Sequence, residues 1–264
     1  MSPDFTANPD PAAPALQRLR IVLVGTQHPG NMGSAARAMK TMGLSNLVLV
    51  APEKPPDAES YALAAGADDL LAAAATHATL AEAVADCTRV YGCTARSRRI
   101  ALDELAPREA AERALEAAGS EGEVALVFGR ERTGLDNDEL QLCHAAVHIP
   151  ANPGYSSLNL AAAVQVISYE LRLAALAVQA AAPRVEDDAR REPPASHAQL
   201  EGMFGQLAET LDDIDFHKGR TPEAAMRKLR RIFLRAGLDE REVRLLRGVL
   251  SDAQRMAMLA TRPR

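Results

Sequence analysis

The sequence predicts an α/β fold: a parallel sheet covered by helices, followed by a small C-terminal helical module. Short apolar runs alternate with helix-compatible segments through residue 150, the pattern of strands joined by crossover helices. The 264-residue chain is 47% hydrophobic but only 3% aromatic, and it lacks Trp. Its core is therefore built from Ala, Leu, Val and Ile, which lets helices lie close on a sheet. Charge is divided unevenly: residues 218–264 carry 13 Lys+Arg against 5 Asp+Glu, and residues 1–217 carry 17 against 30. A basic module on an acidic body points to a polyanionic partner.

Residues 1–18 are Pro-rich, include Asp4 and Asp10 and hold no apolar run, which reads as a disordered tail rather than a signal peptide. Ile21–Val24 is an apolar run ending at Gly25 and predicts a buried strand. Gly33–Met42 predicts a helix closed by Gly43. Leu47–Val50 is the next strand, stopped by Pro52, and Tyr61–Ala65 and Leu80–Ala85 predict helices. Arg89–Gly92 predicts a strand opening into the loop Thr94-Ala95-Arg96-Ser97-Arg98-Arg99. A helix runs from Pro107, a good first-turn residue, to Gly119. Val124–Phe128 is the clearest strand, Asp136–Cys143 a short helix and Ala146–Ile149 a last strand. Leu158 to about Ala182 is long and apolar, but Asn159, Gln165, Glu170 and Arg172 argue against a membrane span. It predicts a helix buried partly in the core and partly against a second subunit.

Residues 183–199 hold charges, Pro193 and Pro194 and read as a linker. In the helical module of residues 200–264, Met226, Leu229, Ile232, Phe233 and Ala236 share one helical face, ended by Gly237. Asp239 with Glu242 forms a capping box for a helix that buries Val243, Leu246 and Val249–Leu250. Arg227, Lys228, Arg230, Arg231 and Arg235 crowd the exposed part of the preceding helix.

Ligands in parallel sheets bind beyond the carboxyl ends of the strands. Three segments stand there: Asn31-Met32-Gly33-Ser34-Ala35-Ala36-Arg37, Val127-Phe128-Gly129-Arg130-Glu131-Arg132 and Tyr155-Ser156-Ser157-Leu158-Asn159-Leu160. Their small residues let a ligand touch the backbone, which suggests a nucleotide-like cofactor served by a fixed cation. Neither a G-x-G-x-x-G nor a G-K-[ST] is present, so dinucleotide and P-loop sites are excluded. His144 and His148 lack a third ligand in view, so no metal is expected. Cys87, Cys93 and Cys143 are odd in number without C-x-x-C spacing, which indicates a reducing, cytoplasmic setting. Cys93 sits in a strand-end loop, but no His is near it in sequence to support a nucleophilic role.

These three segments resemble the motifs of the SPOUT class of RNA ribose 2′-O-methyltransferases, and most nearly the TrmJ-type tRNA methyltransferases, which modify nucleotide 32 of the anticodon loop. The likeness spans residues 19–175 and returns at Lys228-Leu229-Arg230-Arg231 and Leu246-Arg247-Gly248. The resemblance implies a SPOUT domain over residues 19–182 with a C-terminal trefoil knot, a homodimer, S-adenosyl-L-methionine as cofactor and tRNA as substrate. It implies cofactor contacts at Cys93, Thr94, Ala95, Gly129, Ile149, Ser156, Ser157 and Leu158. Its catalytic positions correspond to Asn31, Arg37, Glu131, Ser157 and Asn159. Arg37 either activates the ribose hydroxyl or, since guanidinium stays protonated, clamps the adjacent phosphate and the developing alkoxide. Arg96, Arg98, Tyr155, Lys228 and Arg231 are candidate RNA contacts.

Each residue also has a plainer explanation. Asn31, Ser157 and Asn159 suit helix caps, and Glu131 suits pairing with a neighbouring arginine. An rRNA methyltransferase of the same fold and a non-catalytic RNA-binding protein stand as alternatives.

Overall fold

The computed structural model describes residues 16–95, 102–119, 122–180, 193–218 and 221–260. The chain divides into two units, Met1–Val84 with Arg89–Glu186, and Ala85–Thr88 with Asp187–Arg264.

Among the described residues seven strands occur, all in the first unit except for Cys87 and Thr88 at the start of β4: β1 (Leu19–Val24), β2 (Asn46–Val50), β3 (Ala75–His77), β4 (Cys87–Cys93), β5 (Asp103–Leu105), β6 (Glu123–Phe128) and β7 (Ala145–Val147). Their order is β3-β2-β1-β6-β4-β7-β5. β1 runs parallel to β2 and β6, β2 to β3, and β7 to β4 and β5. The expected α/β parallel sheet is present. Leu19, Ile21, Val22 and Leu23 are fully buried, as are Val124–Val127, because strands covered on both faces need apolar residues without alternation.

Edge strands β3 and β5, and helix α3 below, have no counterpart in the sequence reading. Each strand is three residues long and weakly apolar, and β5 shows Asp103 and Glu104 to solvent. Short, charged edges resist pairing with other chains, and the same features hide them from a periodicity test.

Among the described residues seven helices connect or follow the strands: α1 (Pro29–Thr41), α2 (Ala58–Ala64), α3 (Asp68–Ala73), α4 (Leu80–Ala83), α5 (Pro107–Gly119), α6 (Asn137–Gln141) and α7 (Leu160–Ala180). α1 begins four residues before the expected Gly33, because Pro29 fits the first turn behind an extended His28. The last strand is Ala145–Val147 rather than Ala146–Ile149. α7 packs on α1 and α5. It buries Leu160, Val164, Ile167, Leu171 and Ala175 and exposes Tyr169, Leu176 and Val178. Leu160–Val178 is long and apolar enough to cross a membrane by composition alone.

Gly33 serves packing rather than ligand approach. A Cβ there would overlap the Ser60 carbonyl of α2, and Ser60 Oγ in turn donates to the Pro29 carbonyl at 2.8 Å. The glycine is what lets α1 and α2 cross in contact.

The second unit contains α8 (His197–Asp213), α9 (Pro222–Ala236) and α10 (Glu240–Ala260). Its core joins Leu200, Met203, Phe204, Leu207 and Leu211 to Leu234, Leu238 and Val243, with Met226, Leu229, Phe233, Leu246 and Leu250 packed against them. The Asp239–Glu242 capping box forms as expected, with bonds of 2.7 and 3.0 Å. Three residues expected on buried faces point out instead: Ile232 at 51% and Val249 at 60% exposure, and Ala236. Three helices offer only narrow buried stripes, which Leu234 and Leu246 fill. Arg230 is also not on the exposed face: it donates to both oxygens of Glu201 and lies 4.5 Å from the Phe204 ring centroid.

Two glycine substitutions separate packing from propensity. Gly33→Ala should lower stability by about 2 kcal/mol or more in urea melts, since backbone must move to admit the methyl. Gly205→Ala, inside α8 with nothing near the added Cβ, should raise stability by about 0.5–1 kcal/mol.

Candidate active site

The turn after β1, the loop after β6 and the segment before α7 meet at the carboxyl edge of the sheet. Glu131 is the meeting point. Its carboxylate accepts the Gln27 amide at 3.0 Å, the His28 amide at 3.2 Å and the Asn31 side-chain amide at 2.8 Å. Asn31 then accepts from the Asn159 side chain at 2.9 Å through its own oxygen. Asn159 Oδ1 receives the Ala161 and Ala162 amides at 2.9 and 3.4 Å, so Asn159 caps α7 and joins the network at once. Asn31 does not cap α1, whose N-cap is His28. Glu131 accepts from Asn31 and two main-chain amides rather than pairing with its neighbour Arg130.

Burial alone would raise the Glu131 carboxyl. The hydrogen bonds from Asn31, Gln27 and His28 outweigh it and hold the group below its ordinary value. The site therefore keeps an ionised carboxylate at neutral pH.

Beside this network lies a cavity of about 180 Å³. Its walls come from three loops: Cys93, Thr94 and Ala95 after β4; Gly129 to Gly134 after β6; and Ile149, Ser156, Ser157 and Leu158 before α7. All eight positions expected to touch a cofactor line it, Ser157 among them, and Glu131 does so as well. The Thr94 amide is fixed by the Val147 carbonyl at 3.0 Å. Gly129 has a different reason from the expected one: a Cβ there would strike the backbone of Gly134 and Leu135. It lets the loop fold on itself, and the cavity is bounded by that fold.

Arg37 is not brought to this cavity within the chain. It lies on the exposed side of α1, and its guanidinium has no hydrogen-bond or ion-pair partner among the described residues. Tyr155 is 82% exposed at the turn held by the Tyr155 amide and the Asn152 carbonyl. In the helical unit Lys228 is exposed and Arg231 half-buried on α9. Arg96 and Arg98 lie outside the described residues.

Cys93 lines the cavity as a neutral thiol: burial pushes its pKa far up, and Cys143 adds to the effect. Burial likewise pushes Cys143 up to about 12, with Glu139 contributing. Both shifts disfavour the thiolate that a nucleophilic role needs. His144 accepts the Val90 amide at 3.1 Å, and no group of three metal-ligating side chains occurs among the described residues.

The sequence reading missed the main-chain donors Gln27 and His28, and the pairing of Arg130 with Glu139 at 3.0 Å. One signal was legible: Asp136-Asn137-Asp138-Glu139 is a capping-box pattern, and the box forms. No local signal reveals that Glu139 also holds an arginine nine residues earlier.

A carboxyl with a depressed folded-state pKa adds stability above its unfolded value near 4.3, and that contribution is lost as pH falls through the lower folded value. Wild type should therefore lose more stability between pH 7 and pH 3 than Glu131→Gln, measured as the shift in urea midpoint. The glutamine turns one amide donor toward main-chain donors, so its midpoint at pH 7 should also be lower.

Residues 18–169 match the SpoU rRNA Methylase family, and residues 198–262 match the tRNA methyltransferase TrmJ C-terminal domain. The chain is 48% identical to a tRNA (cytidine/uridine/adenosine-2′-O-)-methyltransferase TrmJ of Pseudomonas aeruginosa, over 92% of this chain and 96% of that protein. It is 50% identical to a tRNA (cytidine/uridine-2′-O-)-methyltransferase TrmJ of Escherichia coli K12, over 90% and 96%. A crystal structure of TrmJ from Z. mobilis ZM4 superposes with a TM-score of 0.75 at 38% identity, covering 88% of this chain and 97% of that one. The protein is a methyltransferase and belongs to the SpoU methylase family, in the branch that carries the TrmJ C-terminal domain.

Proposed function

We propose that this protein transfers a methyl group from S-adenosyl-L-methionine to a ribose 2′-hydroxyl of tRNA, at nucleotide 32 of the anticodon loop. The observation that carries the reading is the single cavity lined by all eight family cofactor positions, with the Asn31–Glu131–Asn159 network at its side. The names of the relatives and the match of the C-terminal helices support tRNA as the substrate.

The donor set suits the cofactor. Small residues and loop backbone at 93–95, 129 and 156–158 can read an adenine edge and ribose. An ionised carboxylate at Glu131 favours a ligand carrying positive charge. Cys93, Thr94, Ala95, Gly129, Ile149, Ser156, Ser157 and Leu158 would hold the cofactor, which supplies an electrophilic methyl on sulfur. The family's trefoil knot belongs to the same reading. Its support is the return of residues 149–158 to the loops after β4 and β6 before α7 begins.

An alcohol is a weak nucleophile, so its proton must leave or be shared as the new bond forms. Of the two roles for Arg37, the clamp fits its chemistry, because guanidinium does not give up its proton in proteins. Its exposed place on α1 suits a phosphate and a developing alkoxide presented by bound RNA. Asn31 lies on the same helix, so the network that fixes Asn31 also fixes the start of the helix carrying Arg37. Ser157 sits at the cavity rim without a hydrogen-bond partner among the described residues, open to substrate.

The protein works as a homodimer in a cytoplasmic setting. The apolar side chains that α7 leaves exposed, Tyr169, Leu176 and Val178, support a second copy at that helix. Residues 19–182 form the methyltransferase domain, 183–199 a linker and 200–264 a basic extension that holds the tRNA body through Lys228, Arg231 and their neighbours. Arg96, Arg98 and Tyr155 contact the RNA near the site. Likeness to the SpoU rRNA Methylase family over residues 18–169 favours a second reading, rRNA methylation, which the same assay separates.

Incubation with labelled cofactor and a tRNA transcript should label the transcript, and a 2′-deoxy substitution at nucleotide 32 should abolish labelling. Label on an rRNA fragment but not on tRNA would favour the second reading. Arg37→Ala should lower kcat by at least about 100-fold, whereas Arg37→Lys should retain part of the RNA affinity. Affinity should fall steeply with salt.

A further inference from the structure

We propose that Arg130 is a positioning residue of this site: it fastens the loop after β6 across the turn after β1, and thereby holds Glu131 against Asn31. The inference rests on the methyl-transfer reading of the cavity. Arg130 lines that cavity and, as a cation at the edge of a site for RNA, would suit a phosphate contact. The geometry assigns it otherwise.

Its charge is already engaged. Arg130 Nη1 lies 3.0 Å from both carboxylate oxygens of Glu139. Glu139 is no loose surface acid: its side chain is 12% exposed, and Oε2 also accepts the Asp136 amide at 2.8 Å. Asp136 returns the bond by accepting the Glu139 amide at 2.8 Å. The anchor of Arg130 is thus one half of the capping box that starts α6, and a partly buried charge so paired is costly to redirect.

The shaft of Arg130 crosses Gly25. A Cβ at Gly25 would lie 2.7 Å from Arg130 Nε and 2.8 Å from its Cγ. Gly25 has φ +59°, a conformation that favours glycine, and its amide donates to the Val50 carbonyl at 2.8 Å. The turn is therefore tied to the sheet and leaves a groove in which only a residue without a side chain admits the arginine. The Arg130 carbonyl accepts the Gly134 amide at 2.8 Å and closes the loop behind it.

Two fastenings then join the same pair of segments. Arg130 grips the turn at Gly25, and the next residue, Glu131, receives Gln27, His28 and Asn31. Without the first, the half-exposed carboxylate alone must hold the loop against the start of α1. Arg130 acts through Glu131 and touches neither RNA nor cofactor.

The test combines kinetics of methyl transfer to a tRNA transcript with amide exchange at Gln27 and His28, thermal melts and S-adenosylmethionine calorimetry. Arg130→Ala should lower kcat about 30-fold, the scale of a small misplacement of site groups, and leave KM for tRNA within about twofold. Glu139→Gln should mimic it, and Arg130→Lys should recover part of the loss. In an Asn31→Ala background, Arg130→Ala should cost less than about twofold more, because the network is already open. Exchange at Gln27 and His28 should quicken at least about tenfold. A raised KM for tRNA at constant kcat would make Arg130 an RNA contact and overturn the proposal. Losses that multiply fully with Asn31→Ala, or unchanged exchange at residues 27 and 28, would also overturn it. Should Arg130→Ala fail to fold, Arg130→Lys and Glu139→Gln carry the same comparisons. Wild-type protein that methylates no RNA would defeat the functional reading, while the exchange measurement would still decide the role of Arg130.

Discussion

Three stretches of chain, around residues 31, 131 and 159, meet at the carboxyl edge of the sheet through one carboxylate and two side-chain amides. Glu131 offers acceptors only, Asn31 uses both ends of its amide, and Asn159 donates to it while its oxygen caps α7. This arrangement has one sensible orientation. Turning the Asn31 amide would set its nitrogen against the Asn159 nitrogen and its oxygen against the carboxylate. The start of α1, the loop after β6 and the start of α7 are therefore fixed relative to one another by directional bonds as well as by packing. The cavity opens between loops that this network holds.

Backbone packed on backbone sets the shape of that cavity. Gly129 is filled by the returning chain at Gly134 and Leu135, Gly33 by the carbonyl of Ser60, and Gly25 by the shaft of Arg130. Each looks in isolation like an opening for a ligand, yet each is occupied by the protein itself. The space left for a small molecule lies alongside these contacts, where Cys93, Ala95, Ile149 and Leu158 form its walls. Such a site tolerates little change in the backbone around it.

The helical unit divides its cations between two tasks. Arg230 is committed inside, over Phe204 and against Glu201, and Arg247 donates to Gln206 at 3.0 Å. Arg227, Lys228 and Arg235 stand exposed along α9. Net charge from the sequence overstates the surface that an RNA would meet, because some of the positive charge is held in structural pairs.

The sequence by itself determined the parallel α/β architecture, the principal strands, the helix at Pro107–Gly119 and the three motifs, because long apolar runs, caps and small-residue loops are local patterns. It marked Asn31, Glu131 and Asn159 as site residues through family likeness, although not that they bond to each other. Tertiary structure alone decided the rest. The edge strands β3 and β5 form only because a neighbour is there to pair with. Ile232 and Val249 face out because helix packing, not periodicity, chooses the buried stripe. Arg37 stands away from its own chain's cavity, and Arg130 crosses Gly25, since contacts between residues about a hundred positions apart depend on how strands are ordered in the sheet, which no local pattern encodes.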